Sequence, residues 1–220
     1  MSSYKIIDGV LHVYYGKAAH AVIPKDVTKI GDYAFGGRNS LRHITIPNSV
    51  IDIDNGAFCH CTNLKSIEIP NSVTKIGEVA FCDCTSLASI QIPSSVTEIG
   101  YSAFEGIKKV KPQCNENGEL RAFKGFHSDW TCRNFQYEVG KSYHQQGKIS
   151  CCNNGFHACT NPLDVFNYYW GNLNDLHFAE VELSGVLDWG YSNTAASDIR
   201  IIRELSVQEL FEIYNNMEKC

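Results

Sequence analysis

The sequence predicts an α+β chain in two parts: a short β-solenoid of four 23-residue repeats within residues 1–112, then a small α+β domain over 113–220. Three observations carry this. Pro24, Pro47, Pro70 and Pro93 each fall 23 residues after the last. Apolar columns keep the same step: Val27, Val50, Val73 and Val96; Ile30, Ile53, Ile76 and Ile99; then Phe35, Phe58, Phe81 and Phe104, each preceded by alanine. A fixed period with fixed apolar columns marks coils that cannot cover their own apolar faces and must stack on one another. Past residue 112 the period stops, and separate strand and helix signals replace it.

Each repeat opens on a short alternating strand, "SIEIP" or "SIQIP", ended by a proline that has no N–H for a ladder. "SVTKIG" is a second extended piece closed by glycine, and "AF" opens the turn back to the next strand. Side chains alternate along a strand, so the residues between the core positions point outward. These are His20 and Val22, His43 and Thr45, Ser66 and Glu68, Ser89 and Gln91, in two parallel columns.

The pattern "IPNSVTKIGEVAFCDCTSLASI" resembles the BspA-like class of leucine-rich repeats, over about residues 4–111. The start, "YKIIDGVLHVYYGKAAHAVIP", is similar to the leading hairpin and first strand common in that class. The resemblance implies that the strand-lined face binds a protein. His43, Thr45, Ser66, Glu68, Ser89 and Gln91 are then the candidate binding residues.

Two Cys-x-Cys pairs, "FCHC" and "FCDC", look at first like halves of a zinc site. The repeat explains them instead. Cys61 and Cys84 share one column; Cys59 and Cys82 share another, filled by Gly36 and Glu105 in the outer repeats. Stacking alone brings like cysteines together, and free Cys behaves as a small hydrophobe, so these are expected to be thiols rather than metal ligands.

Lys108, Lys109 and Lys111 and the Asn/Gly-rich stretch after them mark a domain boundary near 112–118, expected to be open to proteolysis. Beyond it "LRAFKGF", "FQYEVGKSY" and "HFAEVELSGVL" read as strands. "TNPLDVFNYYWG" predicts a helix capped by Asn161 and stopped by Gly171, with Leu163, Phe166, Tyr169 and Trp170 on one face. "LSVQELFEIYNNM" predicts a second helix, with a Ser206/Glu209 capping box and a stripe of Val207, Leu210, Phe211, Tyr214 and Met217.

The phrase "CCNNGFHACTNPLDVFNYY", with "FQYEVGKSY" and "FAEVELSG", resembles a poorly characterised domain of gut bacteria and their phages. Cys151, Cys152, His157 and Cys159 do not have a recurring zinc spacing. His157 and Cys159 share one side of an extended segment, about 6–7 Å apart, too far for direct proton transfer. The order "AFKGF", "GFHACTNPLDVFNYY", "FAEVELSG", "IRIIREL" is also similar to ADP-ribosyltransferase-type domains. That likeness puts Lys124-Gly125 at a first motif, Gly155-Phe156-His157 at a second, and Glu204 as the acid. It implies an alternative function, an NAD-binding domain, active or degenerate, targeted by the repeats. His157 would orient the nicotinamide ribose and Glu204 would be catalytic. His157 stands where that family has tyrosine, and the first His or Arg is absent.

Residues 1–112 carry 11 Lys/Arg against 10 Asp/Glu, and residues 113–220 carry 8 against 14, for a net charge of −5. Neither half is basic, which excludes a nucleic-acid binder. No run of about 18 apolar residues offers a membrane span, and the start lacks a signal-peptide pattern, so a cytoplasmic protein is expected. The sequence reads as a two-domain binding protein that engages, and by inhibition or adaptation controls, a macromolecular partner. The phage-linked resemblance implies a mobile-element protein acting on host machinery. No cofactor and no metal are expected, nor turnover; the oligomeric state is open.

Overall fold

A computed structural model describes residues 3–151 and 153–220. The chain forms two compact units: one runs up to Lys109 and takes in Trp170–Leu173 and Lys219, and the other holds Val110–Tyr169, Asn174–Glu218 and Cys220.

In the first unit β1 (Tyr4–Ile7) and β2 (Val10–Tyr14) form the leading hairpin, with Ile7 opposite Val10. Its two loop residues, Asp8 and Gly9, have φ of 51° and 77°, the left-handed pair that matches strand twist in a two-residue turn. Each coil then adds a three-residue and a two-residue strand. These are β3 (His20–Val22) and β4 (Lys29–Ile30), β5 (His43–Thr45) and β6 (Asp52–Ile53), β7 (Ser66–Glu68) and β8 (Lys75–Ile76), β9 (Ser89–Gln91) and β10 (Glu98–Ile99). The short strands continue the hairpin as one sheet, β1-β2-β4-β6-β8-β10, parallel from β2 on, and Gly171–Asn172 closes its edge antiparallel to β10. The "IG" glycines sit where that sheet turns. A Cβ at Gly100 would lie 2.4 Å from Glu78 N on the preceding coil, so no larger residue fits without moving backbone.

The apolar columns form the shared core. Tyr14, Phe35, Phe58, Phe81 and Phe104 stack in succession, with ring centroids 4.9, 5.1, 5.2 and 5.5 Å apart. The last two steps are nearly face to face, at 6° and 5°. Coil spacing forces this, because one ring per coil at one position must meet its counterpart at the strand repeat distance.

The second unit contains β11 (Gln113–Cys114), β12 (Leu120–His127), β13 (Thr131–Cys132), β14 (Phe135–Gln136), β15 (Ser142–His144) and β16 (Phe156–Ala158). After β17 (Gly171–Asn172), the strand already placed in the first unit's sheet, come β18 (Leu176–Trp189), β19 (Thr194–Leu205) and α1 (Val207–Asn216). An antiparallel sheet runs β11-β12-β18-β19-β15, and β16 also pairs with β19. Just past β16, Cys159 exchanges two backbone hydrogen bonds with Phe123 of β12, at 2.7 and 2.8 Å. The sheet therefore curls until its far strand meets β12. Phe126, Tyr137, Phe156, Val181, Leu183 and Ile201 fill one side. Phe166 packs on Phe178 and Phe211 at 5.5 and 6.0 Å on another.

Three expectations need correction. The boundary segment expected to be open at 112–118 is a paired hairpin: Gln113–Cys114 pairs with Leu120–Arg121, and Asn115 Oδ1 accepts from Asn117 N and Glu119 N. "FQYEVGKSY" is two strands, β14 and β15, because Gly140 at φ 82° turns the chain between them. The helix expected up to Gly171 is a 3-10 helix over Pro162–Asn167; Asn161 caps it as expected, but Pro162, Leu163, Val165 and Phe166 are its buried residues, and Tyr169 and Trp170 lie beyond its end. The second helix matches expectation. Glu209 N donates to Ser206 Oγ at 3.2 Å and Ser206 N to Glu209 Oε2 at 2.8 Å, while Leu210, Phe211, Tyr214 and Met217 are buried.

Candidate functional site

On the strand face, the outward columns lie where alternation puts them. His20 stands opposite His43 and Val22 opposite Thr45; Ser66 stands opposite Ser89 and Glu68 opposite Gln91. His20 Nε2 and Thr45 Oγ1 are 3.0 Å apart. The ladder between these two pairs is interrupted. Ile23 N donates to Thr45 O and Ile69 N to Gln91 O, at 3.1 and 2.9 Å, but no equivalent bond joins Ile46 N to Glu68 O among the described residues. The coils meet again on both sides of the interruption, through Lys65 N to Arg42 O at 3.1 Å and Ser72 Oγ to Val50 O at 2.6 Å. The result is a notch of about 390 Å³ between β5 and β7, walled by Thr45, Asn48, Glu68 and Asn71 and floored by Ile44 and Ile69. Thr45 and Glu68 were foreseen as binding residues; the two asparagines follow each proline and were not.

The paired cysteines sit in the turn layer, away from this face. Cys61 and Cys84 are fully buried, and each thiol donates to a carbonyl of the coil before it, Phe35 O at 3.0 Å and Phe58 O at 3.2 Å. Burial pushes Cys61 up to about 12 and Cys84 higher still, so both remain thiols at neutral pH. Cys82 is raised to about 12 by burial and the nearby Asp83. Among the described residues no three His, Cys, Asp or Glu side chains converge on one point. Cys152 lies outside the described residues.

The second unit holds a cavity of about 310 Å³ beside the curl of its sheet. Lys124 and Gly125 of β12, Gly155 and His157 of β16, and Cys159 all line it. Two motifs 30 residues apart in the chain, quoted for a family likeness, thus meet in one place. Glu204 does not join them: it stands opposite Ala179 on β19, and its carboxylate is 2.6 Å from His177 Nδ1. The expected His157–Glu204 pair is not assembled at this cavity.

Sequence reasoning missed three other lining residues, Cys132, Arg133 and Tyr169. Arg133 and Asn134 form the two-residue turn between β13 and β14, at φ 49° and 64°, and this tight turn sets Cys132 and Arg133 at the cavity wall. Gly125 makes room for Tyr169, since a Cβ there would stand 2.4 Å from the ring. Tyr169 OH donates to Cys132 Sγ at 2.8 Å. Lys124, 5% exposed, donates from Nζ to His157 O at 2.8 Å and to Cys132 Sγ at 3.3 Å, and lies over the Phe126 and Tyr137 rings at 5.6 and 5.5 Å. Burial lowers the Lys124 pKa, with Arg133 adding and Cys132 and Cys159 opposing. His157 is lowered by burial, then by Arg133 and Lys124.

Comparison with known proteins divides the chain at the same region. Residues 12–119 match the model described as "BspA type Leucine rich repeat region (6 copies)", and residues 120–213 match "Domain of unknown function (DUF7666)". Similar solved structures are leucine-rich-repeat proteins. One from Bacteroides ovatus ATCC 8483 is 34% identical over 40% of this chain and 23% of its own, with a TM-score of 0.39. One from T. pallidum is 28% identical over 44% of this chain and 58% of its own, with a TM-score of 0.38. A third, from Bacteroides capillosus ATCC 29799, is 27% identical over 48% of this chain and 93% of its own, with a TM-score of 0.42. The chain thus spans less than two thirds of the first two relatives. No curated protein matches it. With its 23-residue coils, leading hairpin and ring stack, the chain carries a BspA-type leucine-rich-repeat region, followed by a DUF7666 domain.

Proposed function

We propose that the protein binds a protein partner through the strand face of its repeats, with the notch between β5 and β7 as the point of capture. Leucine-rich repeats commonly mediate protein binding, and the single observation that carries the reading here is the interrupted ladder. A buried or half-buried backbone group left unpaired costs free energy, so the strand edges around Ile46 and Glu68 favour a partner that supplies hydrogen bonds. Glu68 is the only charged carboxylate in the outward columns, and with Thr45, Asn48 and Asn71 it offers acceptors suited to a lysine or arginine side chain. A cytoplasmic setting is part of this reading, and the unbridged, buried thiols of Cys61 and Cys84 accord with it.

The test is capture of partners by immobilised protein, comparing wild type with Glu68→Lys and with Lys75→Glu, which alters the other sheet. Glu68→Lys should lose the partner and Lys75→Glu should keep it. Retention by Glu68→Lys would sink the notch as the point of contact.

A further inference from the structure

The cavity of the DUF7666 domain has a chemistry that protein binding by the repeats does not use. Four basic residues line it, Lys124, His127, Arg133 and His157, and no aspartate or glutamate does. This stands out because the half of the chain that builds it carries 14 Asp/Glu against 8 Lys/Arg. Aromatic walls from Tyr168 and Tyr169 complete it. Lys124 is the buried member. Among the described residues its Nζ has a carbonyl and a sulfur as partners and no carboxylate. An amine buried without a counter-charge is held toward its neutral, nucleophilic form, and the lowered pKa of Lys124 agrees with that.

We propose that this cavity takes a small anion carrying an aldehyde or ketone, and that Lys124 captures it as an imine. The Nζ lone pair adds to the carbonyl carbon, and the carbonyl oxygen takes up a proton as the C–O π bond breaks. Nζ releases its proton, the resulting hydroxyl leaves as water, and a C=N bond remains. Amine plus carbonyl gives imine plus water, with no oxidant or reductant, and hydrolysis reverses it. Arg133 and the histidines face the anionic group, which is either a carboxylate or a phosphate.

The experiment uses the full chain at neutral pH with three probes: glyoxylate, pyridoxal 5′-phosphate and uncharged pyridoxal. Borohydride then fixes any imine, and peptide mass spectrometry locates it. Lys124 should be labelled at least about tenfold faster than exposed lysines such as Lys25 and Lys65, because burial keeps more of its amine neutral and nucleophilic. Preference for glyoxylate would identify a carboxylate ligand, and preference for pyridoxal 5′-phosphate a phosphate. Lys124→Met, verified as folded by circular dichroism, should lose the fast adduct. Arg133→Gln should slow labelling by the anionic probes and leave pyridoxal unchanged. Equal labelling of Lys124 and the exposed lysines would overturn the proposal, as would a fast adduct that survives in Lys124→Met. Labelling by pyridoxal as fast as by both anions would overturn its anionic part.

Discussion

Lys124 is the residue on which burial and chemistry conflict most. Its folded pKa lies below its unfolded value of about 10.5, so the unfolded chain binds more protons between the two values. Wild-type stability must then rise with pH across that window, by up to about 1.4 kcal/mol per unit. It is complete above 10.5 and lost as pH falls through the folded pKa. Denaturant titrations at pH values descending from 10.5 should show this slope in wild type and its loss in Lys124→Met; an unchanged slope would mean that the amine stays solvated. The groups around it are Cys132, Cys159, Arg133, the His157 carbonyl and the Phe126 and Tyr137 rings; the two thiols oppose the downward shift and Arg133 adds to it. At this scale the sequence was partly legible. "AFKGF" and "GFH" drew attention through a family likeness, yet nothing in the spacing of Cys132, Arg133 and Tyr169 tied them to Lys124. The available signal was the Arg133-Asn134 turn, a two-residue hairpin loop without the usual glycine.

Elements were read well where a local rule decides them. The Ser206/Glu209 box was visible because both halves of it lie within one turn, and the two reciprocal bonds satisfy N–H groups that helix geometry leaves free. Ser206→Ala should therefore cost about 1 kcal/mol, read as a lowered denaturation midpoint with an unchanged m-value. A cost near zero would place the stability of α1 entirely in the packing of Leu210, Phe211 and Tyr214. The 3-10 helix at Pro162–Asn167 was misread as longer because the apolar spacing of Tyr169 and Trp170 fits an α-helix equally well. Tertiary demand decided otherwise: Tyr169 leaves the helix to bond Cys132 beneath Gly125, and Gly171 at φ 103° enters the edge strand. The interrupted ladder was not legible at all. "HITIPNS" and "SIEIPNS" share the columns that set coil shape, so nothing in either predicts that β5 and β7 part.

For the whole molecule, periodicity made the first unit legible and gave no help with the second. A 23-residue step repeated through four coils constrains every core position at once, whereas the α+β unit depends on pairings between segments far apart, such as Phe123 with Cys159. The hairpin at Gln113–Arg121 bears on where a protease can enter. Its backbone is paired, so limited tryptic digestion should cut first at Lys108 or Lys109, where the first compact unit ends, rather than within 112–118. Early cleavage inside a repeat would contradict two separately packed units. The ring stack from Tyr14 to Phe104 has a further consequence, for how such a chain can change in size. Because the rings of neighbouring coils meet in succession, removing one whole coil would set Phe35 against Phe81 in the place Phe58 held. Insertions and losses of 23 residues are thus nearly silent structurally, while any other length shifts the column out of line. The extent of the surface offered to a partner is in this sense quantised, and gene duplication or unequal recombination could lengthen or shorten it one coil at a time.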